Sequence, residues 1–106
     1  MDVLAKQVIG EFAQESESLY GERLRRLVLF GSCARGEATA ESDIDVAVVL
    51  AGEVVPSQEI DRMIDIMTDI NLKHGVLLSV YPVSEADYLH RNSPLLINIR
   101  REGIGV

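Results

Sequence analysis

Leu27-Val28-Leu29-Phe30-Gly31-Ser32-Cys33-Ala34-Arg35-Gly36, followed after a polar bridge by Ser42-Asp43-Ile44-Asp45-Val46-Ala47-Val48-Val49-Leu50, is the stretch whose reading decides the fold. Two apolar runs of strand length flank a Gly-Ser turn, and the second run opens on two carboxylates one residue apart. Strand side chains alternate faces, so Asp43 and Asp45 share one face while Ile44 and Val46 point into a core. Two neighbouring carboxylates repel each other unless positive charge lies between them. A divalent cation is the natural candidate, and Mg²⁺ held by one or two carboxylates together with phosphate oxygens is its usual arrangement.

Before this stretch, Leu4, Val8 and Phe12 recur at spacing four, with Ala5, Ile9 and Leu19 near the same face; this predicts an amphipathic helix over about Asp2 to Leu19. Gly21 ends it, and a first strand is expected over about Leu24 to Phe30. Arg23, Arg25 and Arg26 form the densest basic cluster of the chain. Solvated charge at a strand entrance is the plainer interpretation, and a phosphate or partner contact the sharper one. After Gly31-Ser32, the segment Cys33 to Arg35 looks like one helical turn whose first N–H groups point outward unpaired. Glu37 to Ser42 reads as a flexible bridge. The strand from about Ile44 to Leu50 is apolar at nearly every position, as expected of a central strand covered on both faces.

Beyond Gly52 and Pro56, a helix over about Ser57 to His74 is expected to bury Ile60, Met63, Ile64, Met67 and Ile70. Its other side carries Asp61, Asp65 and Asp69, either a solvated face or a surface for a basic partner. Lys73, His74 and Gly75 close it. A third strand spans Val76 to Val83, with Pro82 marking an end or an edge. Ser84 to Asp87 opens a short helix toward Asn92, and Ser93-Pro94 opens another, with Leu95, Leu96 and Ile99 on its apolar side and Gly103 as its stop. The element order gives an α/β (α+β) domain, a small mixed β-sheet covered by helices.

A chain of 106 residues is expected to form one domain, residues 1–106, around a single core. Hydrophobic residues make up 47% and charged residues 25%, the balance of an ordinary globular protein. The net charge of −7 argues against extended nucleic-acid binding, which depends on clustered Lys and Arg, while leaving room for a nucleotide whose charge a metal offsets. No apolar run reaches transmembrane length, no leader pattern opens the chain, and the single cysteine, Cys33, fits a reducing compartment; the expected location is cytoplasmic, with no membrane.

Three parts can converge on one anionic substrate. Backbone N–H groups at Gly31 and Ser32, with the Ser32 hydroxyl, can grip a phosphate oxygen. Asp43 and Asp45 can hold Mg²⁺ against the same phosphates. Together they describe phosphoryl or nucleotidyl transfer, in which catalysis is mostly positioning and charge stabilisation. Alone, Gly31-Ser32 is a common strand-to-helix turn and Asp-Ile-Asp a solvent-facing strand start; their order, with ten residues between Ser32 and Asp43, is far more specific.

Gly31-Ser32-Cys33-Ala34-Arg35-Gly36 followed by Ser42-Asp43-Ile44-Asp45 resembles the signature of the minimal nucleotidyltransferases, small members of the DNA polymerase β-like superfamily. The resemblance extends over nearly the whole chain and implies the nucleotidyltransferase, polymerase β palm-like fold. It implies that Gly31 and Ser32 contact the triphosphate of ATP, the substrate, and that Asp43 and Asp45 are the catalytic acids that ligate Mg²⁺. Arg35 is placed either at the phosphates or in an ion pair with Glu37 or Asp43. Cys33 stands where the family often has an aromatic residue, as a buried small residue or as a thiol with a depressed pKa. The family usually places a third carboxylate on the next strand, where it completes the metal site and can serve as general base. The aligned position here is Ser79, which cannot replace a carboxylate in either role. Glu85 or Asp87 could stand in for it only if the following turn folds back.

Two functions follow from the resemblance. One is a Mg²⁺-dependent transfer of AMP from ATP to a hydroxyl, with relatives acting as antitoxins that adenylylate a tyrosine of a helical HEPN-type ribonuclease toxin. The other is a partner-binding module that keeps the nucleotide fold with little or no transferase activity. Homo-oligomerisation is left open by the sequence.

Overall fold

The run from Val46 to Leu50 is wholly buried because its strand is the one covered on both sides. The computed structural model describes residues 3–39 and 42–106. The chain forms α1 (Val3–Tyr20), a 3-10 turn (Gly21–Arg23), β1 (Leu24–Phe30), α2 (Gly31–Arg35), β2 (Ile44–Leu50), α3 (Pro56–His74), β3 (Leu78–Ser84), α4 (Glu85–His90), α5 (Pro94–Glu102) and β4 (Ile104–Gly105). The helix start expected at Asp2, and Ala40 and Glu41 of the bridge, lie outside the described residues. The strands are ordered β3-β2-β1-β4 in one sheet. β1 runs antiparallel to both β2 and β4, and β2 runs parallel to β3, so the sheet is mixed as expected.

Alternation along the strands divides the core in two. Leu27, Leu29, Val46, Val48, Leu50 and Leu78 meet Val8 and Phe12 of α1 and Met63 and Ile70 of α3. On the other face Val28, Ala47, Val49 and Val83 meet Tyr88 of α4 and Leu96 and Ile99 of α5. Ser84 and Ser93 cap α4 and α5 as the sequence indicates, accepting from the N–H groups of Asp87 at 3.1 Å and Leu96 at 3.2 Å. Among the described residues no helix is long and apolar enough to cross a membrane.

Several expectations need correction, among them Leu4, Leu19 and Leu95, which stay exposed instead of joining the apolar faces of their helices. Ile64 does not join the buried stripe of α3 and stays 46% exposed, whereas Ile66 packs inward. The cause is lateral: α3 leans on α1, with Lys73 2.9 Å and His74 3.1 Å from the Glu11 carboxylate. The third strand begins at Leu78, because the Leu78 N–H is taken by the Asn71 side-chain oxygen at 2.9 Å as the chain leaves α3. Arg23 is not simply solvated: its guanidinium donates to both carboxylate oxygens of Glu59, at 3.1 and 3.0 Å, and to the Ala51 and Glu53 carbonyls. Glu59 is 2% exposed and also meets Arg62 at 3.1 Å, as a carboxylate removed from water must be paired. Finally, β4 has two residues, too few to leave a strand pattern in the sequence.

Candidate active site

The antiparallel register of β1 and β2 sets Phe30 opposite Asp45, so the turn that begins at Gly31 lies directly beside that carboxylate. Gly31 has φ 72°, a conformation that costs any side chain energy. A Cβ at Gly31 would also collide with the Asp45 carboxylate. The backbone conformation thus favours glycine here, and any side chain would also have to push the Asp45 carboxylate aside. The turn of α2 closes through the Glu37 N–H on the Ser32 carbonyl at 2.9 Å, and Gly36 leaves it in the left-handed region at φ 73°. Cys33 is 7% exposed, with its sulfur 3.8 Å from the Asp43 carbonyl oxygen. It is the buried small residue of the two alternatives, and it ties α2 to the approach to β2.

Asp43 is exposed just ahead of β2, and Asp45 is half-buried one residue into it. In the parallel ladder of β2 and β3, Asp45 pairs with Ser79. Phe30, Asp45 and Ser79 therefore form a row across three strands, on the face that α4 and α5 cover. Burial pushes the Asp45 carboxyl above the usual carboxylate range and the charge of Asp43 adds to this, while the Ser79 hydroxyl and the Arg35 guanidinium oppose it. The pair is short of positive charge, which is the electrostatic condition that a bound cation relieves.

Arg35 pairs with Glu37 at 3.0 Å and with Glu102 at 3.4 Å, so the ion-pair alternative for this side chain holds with Glu37 and not with Asp43. Glu102 lies 67 positions away at the end of α5, and nothing local in the sequence marks it as a partner of the turn. Phe30 was likewise no candidate, because its place beside Asp45 depends on strand register. Glu85 and Asp87 are not brought to the site. They start α4 at the far end of β3, six strand positions or about 20 Å past Ser79. There Glu85 meets Arg25 at 3.8 Å and Asp87 meets Arg91 at 3.7 Å. Among the described residues no three His, Cys, Asp or Glu side chains converge on one point, so the site offers two carboxylates with a serine beside them.

A family model described as "Nucleotidyltransferase domain" matches residues 9–100. The chain belongs to this nucleotidyltransferase family. Two Methanocaldococcus jannaschii proteins, each named "putative protein adenylyltransferase", are similar to it. One is 40% identical over 80 residues, covering 76% of this chain and 74% of the relative. The other is 36% identical over 73 residues, covering 69% and 73%. Among solved structures, one described as a toxin-antitoxin with AMP-PNP superposes with a TM-score of 0.61 at 18% identity, covering 93% of this chain and 69% of that one. A second, described as a putative nucleotidyltransferase from Sulfolobus solfataricus, superposes with a TM-score of 0.53 at 20% identity, covering 96% and 75%. These likenesses show the nucleotidyltransferase fold, with the Gly31 turn and the Asp45 strand inside the matched region.

Proposed function

We propose that this nucleotidyltransferase domain transfers AMP from ATP to a hydroxyl of a partner protein, with Mg²⁺ as cofactor. The observation that carries the reading is the close approach of Gly31 to the Asp45 carboxylate, which brings the Gly31 turn against the strand that carries the acids. The donor set fits the metal, since burial and then the charge of Asp43 push the Asp45 carboxyl up, and an added cation would favour its charged form. Asp43 and Asp45 would hold the ion, which supplies charge neutralisation on the phosphates. Gly31 and Ser32 grip the triphosphate, and Arg35 would turn to the phosphates from its exposed ion pairs with Glu37 and Glu102. The acceptor hydroxyl gives up its proton to solvent as its oxygen bonds the α-phosphorus, the bond from that phosphorus to the α–β bridging oxygen breaks, and pyrophosphate leaves with that oxygen.

The names of the curated relatives support a protein as acceptor, and the toxin-antitoxin neighbour bound to AMP-PNP supports a partner and a nucleotide. The family resemblance suggests a helical HEPN-type toxin as that partner and a cytoplasmic setting. The test is label transfer from α-labelled ATP with Mg²⁺ to a co-expressed HEPN-type protein. Transfer is expected from the wild type and lost in Asp43→Asn; equal labelling by that variant overturns the metal role.

Ser79 beside Asp45 favours a second reading, a partner-binding module with little or no transfer. It predicts partner binding that persists in Asp43→Asn with no label moved by either form, and robust transfer by the wild type removes it.

A further inference from the structure

Leu78 and Val80 of β3 pack toward α1 and α3, whereas Tyr81 and Val83 join the layer under α4 and α5. By strand alternation Leu77, Ser79 and Tyr81 therefore stand in one row on that second face, the face that carries Asp45. The parallel register sets Ser79 beside Asp45 and Tyr81 beside Ala47. The Ile44 N–H, 2.9 Å from the Leu77 carbonyl oxygen, carries the ladder one step back, so Leu77 comes level with Asp43. Along the strand next to the two acids, a short hydroxyl side chain thus lies between two apolar ones.

The fold itself does not use this row fully. Leu77 is 55% exposed and belongs to neither core layer, Ser79 is exposed, and Tyr81 is only half-buried. A single exposed leucine is ordinary; its place beside the acids is what distinguishes it. Asp45 has the Gly31 turn on its β1 flank and this row on its β3 flank. A nucleotide held by the turn and an acceptor lying on the row would reach the same carboxylate from opposite sides. Strand addition at the outer edge of β3 is disfavoured, because Asn71 takes the Leu78 N–H and Pro82 has none to offer. A segment bound here lies over the face of the sheet instead.

We propose that Leu77, Ser79 and Tyr81 select the acceptor, as an extended segment whose reacting hydroxyl lies over Ser79 and whose residues two positions before and after it are apolar. This rests on the transfer proposed above and adds to it the class of acceptor sequence. In an extended chain residues two apart point the same way at an interval of about 7 Å, the interval that also separates Leu77, Ser79 and Tyr81. The short Ser79 side chain leaves the middle of the row low, with room for a hydroxyl-bearing side chain between taller neighbours. Acidic flanking residues are rejected, since they would meet Asp43 and Asp45.

The experiment uses the full chain, Mg²⁺ and α-labelled ATP. The acceptors are heptapeptides with a central Tyr or Ser, carrying Leu two positions to either side in one set and Gln in the other. Label should pass to the Leu set with kcat/KM about tenfold above the Gln set. Leu77→Ser should raise KM for the Leu set about fivefold, with kcat and the Kd for ATP as in the wild type. Leu77→Met should restore the preference, and Ile64→Ser, on the helix layer across the sheet, should leave it unchanged. Tyr81→Gln should act as Leu77→Ser does; should circular dichroism show it unfolded, the exposed Leu77 carries the test. Equal use of both peptide sets, a preference that Leu77→Ser leaves intact, or an equal rise in Ile64→Ser overturns the proposal. A loss of ATP affinity in Leu77→Ser that matches the rise in KM also overturns it, by giving the row to the nucleotide. If the transfer itself is wrong, the wild type labels neither the peptides nor the co-expressed HEPN-type protein. Label on that protein with none on either peptide set rejects the row alone.

Discussion

Gly31 is the residue whose replacement has the most sharply defined outcome. Gly31→Ala must adopt φ 72° with a side chain, at about 1–2 kcal/mol, and its methyl must displace the Asp45 carboxylate. A lowered melting temperature together with loss of nucleotide binding is expected, and an unchanged ATP titration would show that the close approach is not needed. Asp45 behaves in the opposite sense. Its carboxyl is raised in the folded chain, so its ionisation opposes folding: the group's contribution is favourable below the unfolded pKa and is lost as pH rises through the higher folded one. Asp45→Asn should therefore stabilise the metal-free protein at neutral pH, with the gain fading below about pH 4, near the ordinary carboxyl value. Thermal melts across pH measure this, and Mg²⁺ should raise the melting temperature of the wild type more than that of Asp45→Asn. Ser79→Asp places a third carboxylate next to Asp45 in register. Faster label transfer with tighter Mg²⁺ dependence is expected if the missing acid is what limits turnover.

At the scale of elements, α3 is anchored at its start by the Glu59 carboxylate between Arg23 and Arg62. Removing the buried carboxylate leaves Arg23 partly exposed on the Ala51 and Glu53 carbonyls, so Glu59→Ala should cost about 2 kcal/mol in urea unfolding. A loss below about 1 kcal/mol would mean that water replaces the carboxylate at little cost. The sequence marks this helix by its period, yet it cannot show which flank is covered. Ile64 and Ile66 fit the stripe on either flank, and only the placement of α1 decides between them. At the other end of the chain, α5 is nucleated by Ser93, whose hydroxyl takes the Leu96 N–H at 3.2 Å. Ser93→Ala should cost about 1 kcal/mol. Because α5 carries Glu102 against Arg35, the same variant should loosen the Gly31 turn, which amide hydrogen exchange over residues 31–37 would report.

Across the whole molecule, local pattern and tertiary placement divide the account. Turn chemistry, capping serines, a fully apolar central strand and the Asp-Ile-Asp start are all local signals, governed by backbone conformation and side-chain alternation. They were legible because each is written within a few consecutive residues. The helices, three of the four strands, and the shared face of Asp43 and Asp45 follow from them, while the meeting of Gly31 with Asp45 depends on the register of β1 against β2. The partner of Asp45 on β3 could also be found by counting along the strand to Ser79, since parallel pairing preserves a simple register. What lay beyond the sequence depends on distant segments meeting. Glu59 closes on Arg23 across 36 positions and Glu102 on Arg35 across 67, and two residues of β4 find the edge of β1. A charge in a sequence looks alike whether it faces solvent or a buried partner. By itself the sequence determined the fold class and the turn with its two acids, because these rest on local geometry. Only the tertiary structure decided which arginines are sequestered and which remain at the sheet's edge, because desolvation and pairing depend on what packs above them.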